Sequence, residues 1–173
     1  MSDKFTQNQV DKIFDANKKW EWIGYLIMPF FLFAKIIVIA SIINLGLFFF
    51  EKKIKFKNLL TIAIKAEFVF VFLTLCKIIW FAFQYGYTLE DVQSFYPLSA
   101  LSLVGYKELQ PWFVYPFQTL NLFELAYWII LAWLLGKEIQ STTDKALKIV
   151  ASSYGSALLI WVVAVMFLTL NMS

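Results

Sequence analysis

Four long apolar runs, at Trp22–Phe50, Leu59–Gln84, Pro111–Gly136 and Ile149–Asn171, constrain this 173-residue chain more than any other feature. A helix needs about 20 consecutive apolar residues to cross the hydrocarbon core of a bilayer. All four runs meet that length. They predict an all-α, polytopic transmembrane bundle of four spans, with a fifth possible, forming one domain over residues 22–171. Residues 1–21 are polar and stand apart as an N-terminal segment.

Composition supports the same reading. Hydrophobic residues make up 61% of the chain, aromatics 20% and charged residues only 16%. A soluble domain of this size cannot hide so many rings, whereas lipid accepts them. The lone cysteine, Cys76, lies inside the second run, so it reads as a packing residue and leaves no intrachain disulfide. There is no histidine, and all 15 basic residues are lysine. That removes histidine-based metal sites, histidine-activated nucleophiles and bidentate arginine clamps. No aspartate falls within a run, no glycine-rich nucleotide loop occurs, and the net charge of +3 forms no basic stripe. An enzyme, a bound cofactor or metal, and a nucleic-acid partner are therefore not expected.

The ends and loops set a topology. Thr6–Lys19 places Val10, Ile13 and Phe14 on one face, the pattern of a short amphipathic helix lying on the bilayer. No apolar leader precedes it, so insertion is expected to rely on the first span. The first loop carries Lys52, Lys53, Lys55 and Lys57, and the third carries Lys137, Lys145 and Lys148. The second holds only Lys107. The positive-inside rule puts loops 51–58 and 137–148 in the cytoplasm. The four lysines of the N-terminal tail conflict with this, because four spans place that tail outside. A re-entrant first run turning at Pro29 would return it to the inside. Lys52, Lys53, Lys55 and Lys57 are also candidates for contact with anionic lipid headgroups.

Thr88 and Asp91 have the spacing of a helix-capping box, so the second loop is expected to hold a short interfacial helix ended by Pro97. Leu98–Val104 is too short to cross and is expected to rest at the outer interface, with a re-entrant loop as the sharper alternative. Ser141 with Asp144 marks the start of the last helix. Within it, Ala151, Ser152, Gly155 and Ser156 repeat small residues at intervals of four, which lets helices approach closely, inside one bundle or across a dimer.

Five ionisable residues interrupt the runs: Lys35, Lys65, Glu67, Lys77 and Glu124. With ~1.5 Å of rise per residue, Lys35 and Glu124 lie ~22 and ~18 Å from the cytoplasmic ends of straight spans. Lys65 and Lys77 are close enough to opposite ends to snorkel. Lys35 is therefore expected to pair with Glu124, with Asn121 on the same face supplying a hydrogen bond and Glu67 joining the polar network. Glu124→Lys is expected to abolish accumulation, and adding Lys35→Glu to restore part of it.

Four segments carry a resemblance: Lys55-Phe56-Lys57-Asn58-Leu59-Leu60, Tyr87-Thr88-Leu89-Glu90-Asp91, Phe95-Tyr96-Pro97-Leu98-Ser99, and Tyr115 to Glu124. With them the chain, from Trp20 to Asn171, resembles small inner-membrane proteins of Gram-negative bacteria with AT-rich genomes. More distantly it is similar to the Yip-type (Rab-GTPase-interacting) family, whose members are multi-span adaptors without known catalysis. That family usually has five spans against the four counted here. The small size, the missing catalytic chemistry, the small-residue face and the surface-lying ends point to a non-catalytic accessory or scaffold subunit of the bacterial cytoplasmic membrane. Its partners would be lipids and either the subunits of a larger membrane complex or a second copy. The alternative is a small oligomeric transporter or channel using the intramembrane lysine and glutamates.

Overall fold

The computed structural model describes residues 7–84, 86–88, 91–92, 95–105 and 109–172, with side chains from Ile23 onward. The described residues are mainly helical and include no strand, only one isolated bridge between Ser99 and Asn121. The helices are α1 (Gln7–Phe49), α2 (Phe56–Ala82), α3 (Ala100–Val104), α4 (Pro111–Thr119), α5 (Leu122–Glu138), α6 (Thr143–Val150) and α7 (Ser156–Met172). A π-type turn, Ala151–Gly155, joins α6 to α7 without a break. Among the described residues, three helical stretches are long and apolar enough to cross a membrane: Ile23–Phe49, Phe56–Ala82 and Thr143–Met172.

The third apolar run is where the structure departs from a single straight span. It is delivered as α4 and α5, of 9 and 17 residues, separated at Leu120 and Asn121. Pro111 starts α4 at its first position, and Pro116 inside α4 removes one helical donor. Asn121 then caps a fresh helix, its side chain accepting from the Glu124 backbone N–H at 2.7 Å.

The chain forms two compact units, Met1–Val38 and Ile39–Ser173. In the first, α1 runs unbroken from Gln7 through Pro29. The first run therefore does not turn back at Pro29 as a re-entrant hairpin. Tyr25, Met28, Phe30 and Phe31 are all exposed along it, as lipid-facing side chains are.

In the second unit, α5 is the central element. Tyr127, Leu131 and Leu135 of α5 are fully buried, as are Leu59 and Ala63 of α2 and Val150 of α6, while Ile43 and Leu47 from the end of α1 are nearly so. Helix α1 approaches the π-type turn closely in this unit: a Cβ on Gly46 would come 2.5 Å from the Ser153 Cβ. Asn58, near the start of α2, donates to Glu138 at the end of α5. This brings loops 51–58 and 137–148 to one end of the unit.

Two turns at that end share a design. Helix α1 closes with Glu51 in the left-handed region (φ 54°), Lys52 N–H donating to Leu47 C=O and Glu51 N–H to Phe48 C=O. Helix α5 closes with Gln140 left-handed (φ 51°), Ser141 N–H donating to Gly136 and Gln140 N–H to Lys137. Both are Schellman closures. Ser141 is spent on ending α5, so the cap of α6 falls one residue later than the sequence spacing indicated. It is Thr142 whose side chain accepts from Lys145 N–H.

In the second loop, the side chain of Asp91 accepts from the Thr88 N–H at 2.9 Å and the Thr88 hydroxyl accepts from the Asp91 N–H at 3.2 Å. Leu89, Glu90, Gln93 and Ser94, over which the short interfacial helix was expected to run, lie outside the described residues. Leu98–Val104 packs back on the α4–α5 break through α3.

Candidate functional site

The break between α4 and α5 exposes backbone groups in an apolar setting, where each unsatisfied group costs several kcal/mol. The chain resolves this with the segment around Ser99. Ala100 N–H donates to Leu120 C=O at 2.9 Å, and Leu122 N–H donates to Leu98 C=O at 3.0 Å. Asn121 completes the repair, its side-chain amide donating to Gln118 and Thr119 C=O at 2.7 and 3.3 Å. Asn121 thus meets Glu124 through the Glu124 backbone, as a cap, with its own amide spent on α4. Leu98 is left-handed (φ 57°) to make this pairing, a conformation that costs a leucine about 1–2 kcal/mol.

Glu124 stands in the first turn of α5 and is 9% exposed. Its Oε1 accepts from Trp128 Nε1 at 3.0 Å and from the Tyr154 hydroxyl at 2.9 Å. The first donor is one turn along the same helix. The second arrives from the π-type turn, where the Ser152 and Ser153 hydroxyls both donate to Ile149 C=O, at 3.1 and 2.6 Å. The widened turn shifts the helix faces by about one residue, which sets Tyr154 inward.

Glu67 of α2 is buried and accepts from the Tyr127 hydroxyl at 3.3 Å, a long bond for two oxygens. The Tyr127 and Tyr154 rings pack with centroids 5.5 Å apart. Two buried carboxylates from two helices therefore flank a pair of touching tyrosines. Among the described residues, every buried side-chain nitrogen and oxygen has a hydrogen-bond partner.

The other residues singled out in the sequence fall as follows. Lys35 is exposed on α1 in the first unit and Glu124 belongs to the second, so their pairing is a matter for the charge-swap experiment. Lys65 is exposed. Lys77, expected to snorkel, has its Nζ 3.7 Å from the Tyr96 ring centroid. Gly155 is buried under Trp128, where an added Cβ would come 2.5 Å from the ring, while Ala151, Ser152 and Ser156 face outward. Lys52, Lys53, Lys55 and Lys57 are exposed. Lys52 also lines a small hollow with Lys145 and Lys148 from the third loop.

Tyr127, Tyr154, Trp128 and the helix break belong to none of the sequence patterns that mark the residues above. One signal for the break was present: Asn121 and Glu124 have the capping spacing inside an apolar run, with Pro116 a few residues earlier.

Beside Glu124 the break leaves a cavity of about 640 Å³. Its walls come from residues 98–100, 102–103, 119–122 and 124–125, with Trp128 and Leu158. No family model, curated protein or solved structure matches this chain.

Proposed function

We propose that this chain is a four-span, non-catalytic accessory or scaffold subunit of a bacterial cytoplasmic membrane, packing against a larger membrane complex. The fourth span in this reading is α4 with α5, crossing together despite their break. One observation carries the reading: no residue of Ser156–Met172 is fully buried by the chain itself, and one side of it alone packs on α4, although this stretch ends a 30-residue apolar helix. Ala151 and Ser152 just before it, and Ser156 at its start, face outward. Small outward residues on a helix let a second helix approach closely in lipid. The closed hydrogen bonding around Glu124 and Glu67 fits a core that fixes helix register. The resemblance to Yip-type adaptors agrees with this role. In this reading Lys52, Lys53, Lys55 and Lys57 rest among anionic headgroups on the cytoplasmic side.

In-cell crosslinking and gentle-detergent purification test the proposal. A stoichiometric membrane-protein partner, crosslinked at 151–172, is the expected result. A chain that purifies alone and homogeneous, with no crosslink on that stretch, defeats it.

The discontinuous helix favours a second reading, a small oligomeric transporter using Lys35, Glu67 and Glu124, because broken helices at membrane depth often hold substrates or ions. Proton or solute flux from the protein alone in liposomes, lost in Glu124→Gln, would select this reading over the scaffold.

A further inference from the structure

We propose that the cavity at the α4–α5 break binds a small membrane-borne amphiphile, a hydrocarbon chain whose polar end is a hydrogen-bond donor such as a hydroxyl or an amine. This goes beyond the scaffold role but rests on the part of that reading that sets α4 and α5 in the bilayer. The volume of about 640 Å³ lies within the range of small-molecule sites. Leu98, Leu103, Leu120, Leu122, Leu125 and Leu158 make its walls apolar. Five of the six are well exposed, Leu103 most of all at 87%, so the cavity is open to the hydrocarbon around the helices. A molecule dissolved in the bilayer reaches it without passing through water. A helix with its side chains is about 10 Å across, so this volume would admit only a turn or two of a partner helix.

The polar atoms in the wall select the chemistry of the occupant. The Ser99 hydroxyl donates to Tyr96 C=O, the Ser102 hydroxyl to Ser99 C=O, and the Thr119 hydroxyl to Tyr115 C=O, at 2.6, 2.6 and 3.0 Å. Asn121 spends both amide hydrogens on Gln118 and Thr119. Trp128 gives its ring N–H to Glu124. The donors of this wall are committed to the protein, whereas hydroxyl and carboxylate oxygens each hold more than one acceptor position. The wall therefore offers acceptors, and an occupant that donates fits it better than one that only accepts. The left-handed Leu98 is local strain at the same place, a feature that collects at ligand sites.

The test uses the full chain in phosphatidylcholine vesicles and a hexadecanol bearing a mid-chain diazirine. After photolysis, peptide mapping is expected to place adducts in 98–103 and 120–125. Unlabelled hexadecanol or hexadecylamine should compete about tenfold better than methyl hexadecyl ether, the equivalent of one well-made hydrogen bond. Leu158→Trp and Leu103→Trp should each remove most of the labelling. The Leu103 variant guards against misfolding, since that side chain is exposed and its replacement disturbs no packing. Adducts scattered over all lipid-facing helices, equal competition by the ether, or labelling that survives a folded tryptophan variant would each overturn the proposal. So would in-cell crosslinks that fill the same two segments with a partner protein.

Discussion

Glu124 Oε1 joins three residues that the sequence separates: its own turn, Trp128 four residues on, and Tyr154 thirty residues on. Each donor depends on that one oxygen, and the carboxylate is buried. Hydrogen bonds between membrane helices contribute about 1 kcal/mol each. Tyr154→Phe should therefore lower stability by about that amount. Glu124→Leu should cost more, about 2 kcal/mol, because it strands two donors at once. On the Glu124→Leu background, Tyr154→Phe should cost nothing further, since the hydroxyl it removes has already lost its acceptor. Thermal unfolding in detergent of the four proteins in this cycle measures the coupling. Simple addition of the two losses would mean that Tyr154 and Glu124 do not share a bond.

At the scale of elements, the helices were legible in the sequence and their interruptions were not. Run length alone located α1, α2 and the α6–α7 helix, because lipid requires length and apolarity and little else. The third run reads as continuous because a hydropathy average over some twenty residues passes over Gln118, Thr119 and Asn121, which longer apolar stretches flank on both sides. What ends α4 is backbone chemistry, a proline at 116 and a cap at Asn121, and what makes the break tolerable is a partner, Leu98–Ala100, some twenty residues away. Tyr127 and Tyr154 escaped notice for a related reason: tyrosine is common at membrane interfaces, and only the fold shows these two turned inward onto carboxylates. The helix ends are similar. Gln140 occupies the left-handed position that glycine prefers. It is exposed, so replacing it removes no packing. Gln140→Gly should raise stability by about 1 kcal/mol, less what glycine adds to unfolded-chain entropy. An unfolding midpoint unchanged or lowered in Gln140→Gly would show that the strain is absorbed elsewhere.

For the whole molecule, the charge pattern and the fold make one joint prediction. The fold brings loops 51–58 and 137–148 to one end through the Asn58–Glu138 hydrogen bond and the hollow shared by Lys52, Lys145 and Lys148. The lysines on those loops should hold that end in the cytoplasm, since basic loops resist translocation. Gly86 and Tyr87, beyond the far end of α2, should then face the outside. Replacing Cys76 with alanine gives a thiol-free chain to which single cysteines can be added at Lys53, Gln140 or Gly86. In intact cells a membrane-impermeant maleimide should label Gly86→Cys and leave Lys53→Cys and Gln140→Cys unlabelled until the membrane is opened. A cysteine at Ser2 decides the remaining conflict. Labelling there from outside means that the seven loop lysines outweigh the four in the tail, and protection of Gln140→Cys beside labelling of Gly86→Cys means that α4 with α5 makes a crossing. Protection of Ser2→Cys together with labelling of Gly86→Cys requires an even number of crossings before the first loop. Because α1 is unbroken through Pro29, it can supply only one, so that result would refute the four-span topology outright.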